Sequence, residues 1–99
     1  EKLATAIARL CVTRHAVAAA TVQLAEHFGL PCRTGGGLTD AHLADGQAMA
    51  EGVLTLSTAL RSGAHFILHS CGQMGSYISL SFEKWLLDEE VGTLLQTVL

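Results

Sequence analysis

The sequence predicts an α/β fold, specifically a helix-strand-helix-strand-helix segment of a TIM (β/α)8 barrel. Segments with the apolar spacing of amphipathic helices alternate with two short apolar runs that are typical of buried parallel strands. A glycine-rich stretch follows each of these runs. Two strands are too few for an independent sheet, so we expect residues 1–99 to be a single fragment of a larger barrel domain.

The first predicted helix covers residues 2–28, where good helix formers dominate and apolar residues recur at helical spacing. Thr13 is a candidate N-cap that would divide this segment into two helices. Gly29 is expected to end the helix in the left-handed conformation, and Pro31 prevents its continuation. A short strand is predicted for residues 31–34.

The second predicted helix runs from about Asp45 to Arg61, because a carboxylate favours a helix start and Ser62-Gly63 can close the end. Its apolar stripe is expected to be Met49, Val53, Leu54, Leu56 and Leu60. A second strand follows at residues 65–69, and residues 70–75 are predicted to form a loop. The last helix should begin at about Ser79 or Ser81 and end at Leu99. Its predicted buried face consists of Trp85, Leu86, Val91, Leu94 and Leu95.

Composition and charge narrow the classes of function. Hydrophobic residues make up 49% of the chain and charged residues only 15%. Because a small domain has a large surface, these charges are too few to cover it, and we expect a homo-oligomer or a piece of a longer protein. The absence of an initiating Met favours the second expectation. The net charge of −3 argues against a partner that is a nucleic acid.

The cysteines and the apolar runs predict a cytoplasmic protein. Cys11, Cys32 and Cys71 are widely spaced, which suits reduced thiols better than a disulfide scaffold. No apolar run approaches the ~20 residues of a membrane span, and no signal peptide is visible, so no membrane partner is expected. No metal site is predicted either, because His65 and His69 would lie ~13 Å apart along a strand.

Polar and glycine-rich residues follow both predicted strands. The stretch Thr34-Gly35-Gly36-Gly37 follows the first, and His69-Ser70-Cys71-Gly72 follows the second. Because the carboxyl ends of adjacent parallel strands lie roughly 5 Å apart, both stretches should share one rim. The glycine run has two interpretations: a tight turn that needs positive φ, or a cradle whose N–H groups bind a carboxylate or phosphate.

Four further side chains are candidates for a functional role. His69 could be a general base, an orienting donor or a substrate ligand, although a histidine satisfied by nearby backbone is the alternative. Glu83 could position a substrate if it points inwards, or it could be a first-turn glutamate favoured by the helix dipole. Asp40 and Asp45 are more often helix caps than catalysts. His65 is expected to be structural.

Five motifs in order resemble the trimethylamine methyltransferase family. They are LAEHFGLPCR (24–33), GGGLTD (35–40), DGQA (45–48), GAHFILHSCG (63–72) and SFEKWLLDEE (81–90). The resemblance covers roughly residues 15–95. It implies a TIM barrel of several hundred residues, of which this chain would be a carboxyl-terminal part. The archetypal enzyme carries pyrrolysine near the glycine-rich loop, whereas this chain has standard residues there and so resembles the branch that includes glycine betaine enzymes.

The resemblance implies an enzyme that moves a methyl group from a tertiary or quaternary methylamine to the cobalt of a corrinoid protein. Cobalamin would be carried by that partner and not bound directly by this segment, and the isolated chain should be inactive. His69 and Glu83 are the catalytic candidates, and the substrate-binding candidates are Gly35, Gly36, Gly37, Asp40 and Ser70. When a quaternary ammonium loses a methyl group, the tertiary amine that leaves needs no proton. A loop without an acid is therefore compatible with this chemistry.

The chain departs from the family pattern at His65, where Asn is common, and at Ser70-Cys71, where small alanine-like residues are common. The identity of the amine therefore stays open. Two other functions are also open: a non-catalytic α/β module that binds a small anion through the glycine run, and a purely structural piece that pairs with the rest of a barrel.

Overall fold

The computed structural model describes residues 2–99, and it describes side chains from Arg14 onward. Over that range, the elements in chain order are α1 (Lys2–His27), β1 (Arg33–Gly35), α2 (Gly46–Arg61), β2 (Phe66–Leu68), β3 (Gln73–Met74), β4 (Ser79–Leu80) and α3 (Phe82–Val98). The three predicted helices and the two predicted strands are present in the predicted order, and two further strands lie between β2 and α3.

Strands β1 and β2 pair in parallel, as predicted, with Arg33 opposite Phe66 and Gly35 opposite Leu68. Both strands are shorter than predicted. The ladder begins irregularly, because the carbonyl of Cys32 accepts from the N–H groups of both His65 (3.0 Å) and Phe66. It ends at His69, whose φ of 55° turns the chain out of the extended conformation.

Helix α1 is continuous, so the predicted division at Thr13 is wrong. A single Thr among strong helix formers costs only a few tenths of a kcal/mol, which is too little to stop a helix. The predicted end is confirmed: Gly29 has φ 65°, its N–H donates to Glu26, and the N–H of Leu30 donates to Ala25 over 2.9 Å. These two bonds form the Schellman arrangement that satisfies the last carbonyl groups of a helix.

Helix α2 begins as predicted, because the side chain of Asp45 accepts from the N–H of Ala48 over 3.1 Å. Its predicted apolar stripe is only partly buried. Leu56 is buried, but Leu54 is exposed and the other three stripe residues are half-buried. The buried positions are instead mainly small: Ala48, Gly52, Thr55, Leu56 and Ala59. Small side chains let the neighbouring loops approach this helix closely.

Residues 72–81 form a second sheet that the sequence did not indicate. Strands β3 and β4 pair in antiparallel fashion, with Gln73 opposite Leu80 and Met74 opposite Ser79. We refer to residues 72–81 as the hairpin. Strands of two residues are too short to show the alternation by which strands are identified in a sequence.

Helix α3 is capped by Ser81, whose hydroxyl accepts from the N–H of Lys84. Its predicted buried face is largely wrong: Leu95 is buried and Val91 half-buried, but Trp85, Leu86 and Leu94 are exposed. The side chains that α3 buries are those of Lys84, Asp88 and Leu95. The face of α3 that packs against the rest of the described chain thus carries the ion pair of Lys84 and Asp88.

Candidate active site at the strand ends

The carboxyl ends of β1 and β2 lie side by side, as the sequence predicted. The parallel register places Gly35 opposite Leu68, and the N–H of Gly36 donates to the carbonyl of Leu68 over 2.9 Å. Residues 35–41, which we call the glycine loop, therefore begin next to His69. The hairpin starts three residues after His69, so both segments belong to one rim.

The glycines of this loop are required by close packing. A Cβ on Gly36 would lie 2.7 Å from Ile67 Cγ2 and 2.8 Å from Leu56 Cδ1. A Cβ on Gly37 would lie 2.3 Å from the carbonyl oxygen of Ser70, and Gly37 has a φ of +62° that side chains disfavour. Gly37 thus has the positive φ that the tight-turn interpretation expected, whereas Gly35 and Gly36 do not.

Amide groups of the glycine loop already have acceptors within the chain. The N–H of Gly36 binds Leu68, that of Leu38 donates to Thr55 Oγ1 over 3.0 Å, and that of Asp40 donates to Glu51 Oε2 over 2.9 Å. An anion cradle needs N–H groups that are free to donate. These three N–H groups are therefore not free to bind a small anion.

Asp40 connects three segments and is not the helix cap that the sequence suggested. Its Oδ1 lies 2.9 Å from Nη1 of Arg14 and accepts from the hydroxyl of Ser76. Nη2 of Arg14 also donates to Ser76 Oγ over 2.9 Å. Asp40 thus holds α1, the glycine loop and the hairpin together, and it is not positioned as a free substrate-binding carboxylate.

A buried ion pair on α3, formed by Lys84 and Asp88, joins the glycine loop to the hairpin. The sequence did not predict this pair. Lys84 is 0% exposed, and its Nζ contacts Asp88 and donates to the carbonyl of Gly37 over 3.0 Å. Asp88 accepts from the N–H of Gly72 over 2.8 Å. Gly52 of α2 lies beside the pair, and a Cβ there would make an ordinary van der Waals contact of 3.5 Å with Asp88 Oδ1. A Lys and an Asp four residues apart were the available signal, although such pairs are common on exposed helix faces.

His69 is exposed at the end of β2 and stacks edge-to-face on Tyr77, with ring centroids 5.0 Å apart and planes at 74°. The structure thus brings together a predicted site residue and an aromatic residue that the sequence did not single out. His65 has a structural contact, as expected, because its Nδ1 accepts from the N–H of Cys32 over 3.1 Å.

Glu83 and Ser70 occupy different environments. Glu83 is exposed, and its carboxylate accepts from the hydroxyl of the cap residue Ser81 over 2.9 Å. It does not point inwards, because the inward position of this turn belongs to Lys84. Ser70 is half-buried with its carbonyl against Gly37. The catalytic role of Glu83 and the binding role of Ser70 stay predictions.

A cavity of about 350 Å³ opens beside the end of β1. Its walls include Arg14, Thr34, Gly35, Leu38 and Tyr77. This volume lies at the small end of the range for ligand pockets in proteins. Among the side chains that the structure describes, those of residues 14–99, no group of three or more His, Cys, Asp or Glu residues is arranged to hold a metal ion. No helix within residues 2–99 is both long and apolar enough to cross a membrane.

Comparison of the sequence with known proteins places the chain in a family. Residues 12–99 match the family model described as trimethylamine methyltransferase (MTTB). The chain is 40% identical over 76 residues to the glycine betaine methyltransferase of Desulfitobacterium hafniense (strain Y51). The aligned residues make up 77% of this chain and 16% of that protein.

Two further relatives come from Eubacterium limosum. The L-carnitine:corrinoid methyltransferase is 42% identical over 69 residues, or 70% of this chain and 14% of that protein. The proline betaine:corrinoid methyltransferase is 37% identical over 76 residues, or 77% of this chain and 16% of that protein. The chain thus spans 14–16% of the length of these relatives. The family match extends over most of the chain, and the chain belongs to the trimethylamine methyltransferase family.

Proposed function

We propose that the protein moves a methyl group from a tertiary or quaternary methylamine, of the glycine betaine class, to the cobalt of a corrinoid protein. The observation that carries this proposal is the family match over residues 12–99, together with relatives named for betaine and carnitine substrates. We further propose that the segment forms consecutive βα units of a TIM barrel, which the parallel pairing of β1 and β2 supports. A cytoplasmic location belongs to the same proposal.

The chemistry explains why the rim can function without a built-in nucleophile. The C–N bond of the methylamine breaks, its electron pair stays on nitrogen, and the methyl group bonds to Co(I), which becomes Co(III). The corrinoid partner supplies the nucleophile, so the enzyme must bind the amine and hold one methyl group in line. For a quaternary amine, the leaving nitrogen needs no proton.

The size of the cavity agrees with an enzyme that binds the amine and a partner protein that carries the corrinoid. A volume of about 350 Å³ suits a small methylated amine, whereas a corrin macrocycle is much larger. The residues described here therefore fit an acceptor that is carried by another protein and approaches from outside. In this proposal, His69 lies at the rim, where it can orient the amine. Lys84 and Asp88 hold the glycine loop and the hairpin in position.

Methyl transfer to free cob(I)alamin tests the proposal. The full-length protein would be mixed anaerobically with cob(I)alamin and, separately, with glycine betaine, L-carnitine, proline betaine and trimethylamine. We expect the visible spectrum to change from Co(I) to methyl-Co(III) with at least one quaternary amine, together with release of the demethylated amine. The residues 1–99 alone are expected to give no transfer. Absence of transfer from every amine, both to cob(I)alamin and to a co-purified corrinoid protein, would refute the proposal.

A further inference from the structure

We propose that Tyr77, together with His69, forms an aromatic recognition site for the methylated ammonium group of the substrate. This inference rests on the proposed function and adds the chemistry by which the amine is bound. A quaternary ammonium has no N–H group, so hydrogen bonds to its nitrogen cannot recognise it. Aromatic ring faces attract such cations through the quadrupole of the ring.

The backbone of the hairpin turn directs Tyr77 to this position. Ser76 and Tyr77 have φ values of 56° and 77°, a left-handed conformation that side chains rarely adopt. The turn is fixed to the glycine loop by hydrogen bonds from the N–H of Gly75 to Ala41 and from the N–H of Ser76 to Thr39, each 3.0 Å long. The ring is therefore held in place by the loop that it faces.

Tyr77 lies at the end of β1, with its hydroxyl beside Gly35. A Cβ on Gly35 would lie 3.2 Å from the hydroxyl of Tyr77, whereas a Cβ on Gly36 would contact Leu56 of α2. Gly35 and Tyr77 are therefore neighbours at this end of the strand. Both residues line the cavity of about 350 Å³.

The ring pair leaves aromatic surface available to a ligand. Tyr77 is 52% exposed, and the edge-to-face contact with His69 uses one face of one ring and one edge of the other. Arg14 also lines the cavity, but its charge is paired with Asp40 at 2.9 Å, which reduces its repulsion of a cation. The surroundings therefore suit a cation with an apolar methyl surface.

Binding measurements that need no corrinoid separate this inference from the proposed function. The full-length protein would be titrated by calorimetry with tetramethylammonium, glycine betaine and 3,3-dimethylbutyrate, which has the shape of glycine betaine but carries no positive charge. Tyr77→Asn removes the ring and keeps a residue type that tolerates positive φ. Tyr77→Phe keeps the ring and is the matched control.

We expect Tyr77→Asn to weaken binding of tetramethylammonium and glycine betaine about tenfold, within the range of cation–π contacts. Tyr77→Phe should stay within about twofold of the wild type, since the ring face remains. The wild type should bind 3,3-dimethylbutyrate more weakly than glycine betaine, and Tyr77→Asn should not change that value. Thermal melts of all three proteins verify that the variants are folded.

Equal affinities of the wild type and Tyr77→Asn for the cations would overturn the inference, and so would equal losses in Tyr77→Phe and Tyr77→Asn. A wild type that binds neither cation would overturn it as well. If methyl transfer is observed but does not depend on the ring of Tyr77, the proposed function stands and only the aromatic site fails. If the cations bind through Tyr77 but no methyl group moves, only the proposed function fails.

Discussion

The glycine loop and the hairpin both border the strand ends, but they differ in how their backbone is held. In the glycine loop, Gly36 and Gly37 are buried, and a side chain at either position would collide with its neighbours. In the hairpin turn, Ser76 and Tyr77 adopt positive φ although they are not glycine, and Tyr77 stays exposed. One segment has glycine where packing demands it, and the other keeps side chains where the backbone would favour glycine.

This difference indicates separate tasks. Backbone strain at residues other than glycine persists only where the surrounding structure imposes it, and such residues cluster at functional sites. The glycine loop sets the shape of the rim, and in the proposed function the hairpin together with His69 presents side chains to the amine. Substitutions in the first segment should therefore affect stability, and substitutions in the second should affect substrate binding and turnover.

The largest effect is expected from Lys84→Met, which tests the connection between the two segments. The change leaves Asp88 buried without its cation, and breaking a buried pair in this way costs about 3–5 kcal/mol. Chemical denaturation of the full-length protein measures the loss. The double variant Lys84→Met/Asp88→Leu should recover much of it, because no charge is then left unpaired. A single variant as stable as the wild type would show that the pair does not join the loops.

Gly37→Ala tests whether close packing holds the glycine loop. A Cβ would meet Ser70 in addition to adopting a φ of +62°, so we expect a loss of roughly 2–4 kcal/mol in the free energy of unfolding. Gly29→Ala is the matched control, because its φ is +65° but nothing lies within 4 Å of the new Cβ. That variant should lose only about 1–2 kcal/mol. Equal losses would mean that φ alone requires glycine at position 37.

His69→Asn should separate activity from stability at the rim. Asn tolerates the φ of 55°, and the side chain is exposed, so the unfolding free energy should change by less than about 0.5 kcal/mol. If His69 orients the amine, kcat/KM for methyl transfer should fall about 10- to 100-fold. Glu83→Gln is the comparison, and we expect a smaller fall because that carboxylate contacts Ser81 at an exposed helix start. A larger fall in Glu83→Gln would reverse the assignment of roles.

The sequence was sufficient for features that depend on local signals. Gly29 followed by Pro31 predicted the end of α1, Asp45 predicted the start of α2, and the run at residues 65–69 predicted a parallel strand. The signals at the two helix ends act through residues within a few positions along the chain, and the apolar run predicts a strand before its partner is known. Local backbone chemistry decides them, so tertiary contacts did not change the outcome.

The sequence was not sufficient where distant contacts decide the environment of a side chain. Trp85 and Leu86 are apolar but exposed, whereas Lys84 is charged and fully buried, because the carbonyl of Gly37 lies beside its ammonium group. Helical periodicity cannot reveal that contact. Likewise, the aromatic contact of Tyr77 with His69 depends on the positive φ at Ser76 and Tyr77, and no residue type at those positions signals it.

The hydrogen bond from Lys84 to Gly37 also has a consequence for the order of events during synthesis. The two residues are 47 positions apart, so the glycine loop leaves the ribosome well before Lys84 does. Until α3 emerges, the Gly37 carbonyl lacks the Lys84 ammonium group, and the N–H of Gly72 lacks its Asp88 acceptor. The contacts that α3 makes with the rim, from Lys84 to Gly37 and from Gly72 to Asp88, therefore form only after α3 has been made.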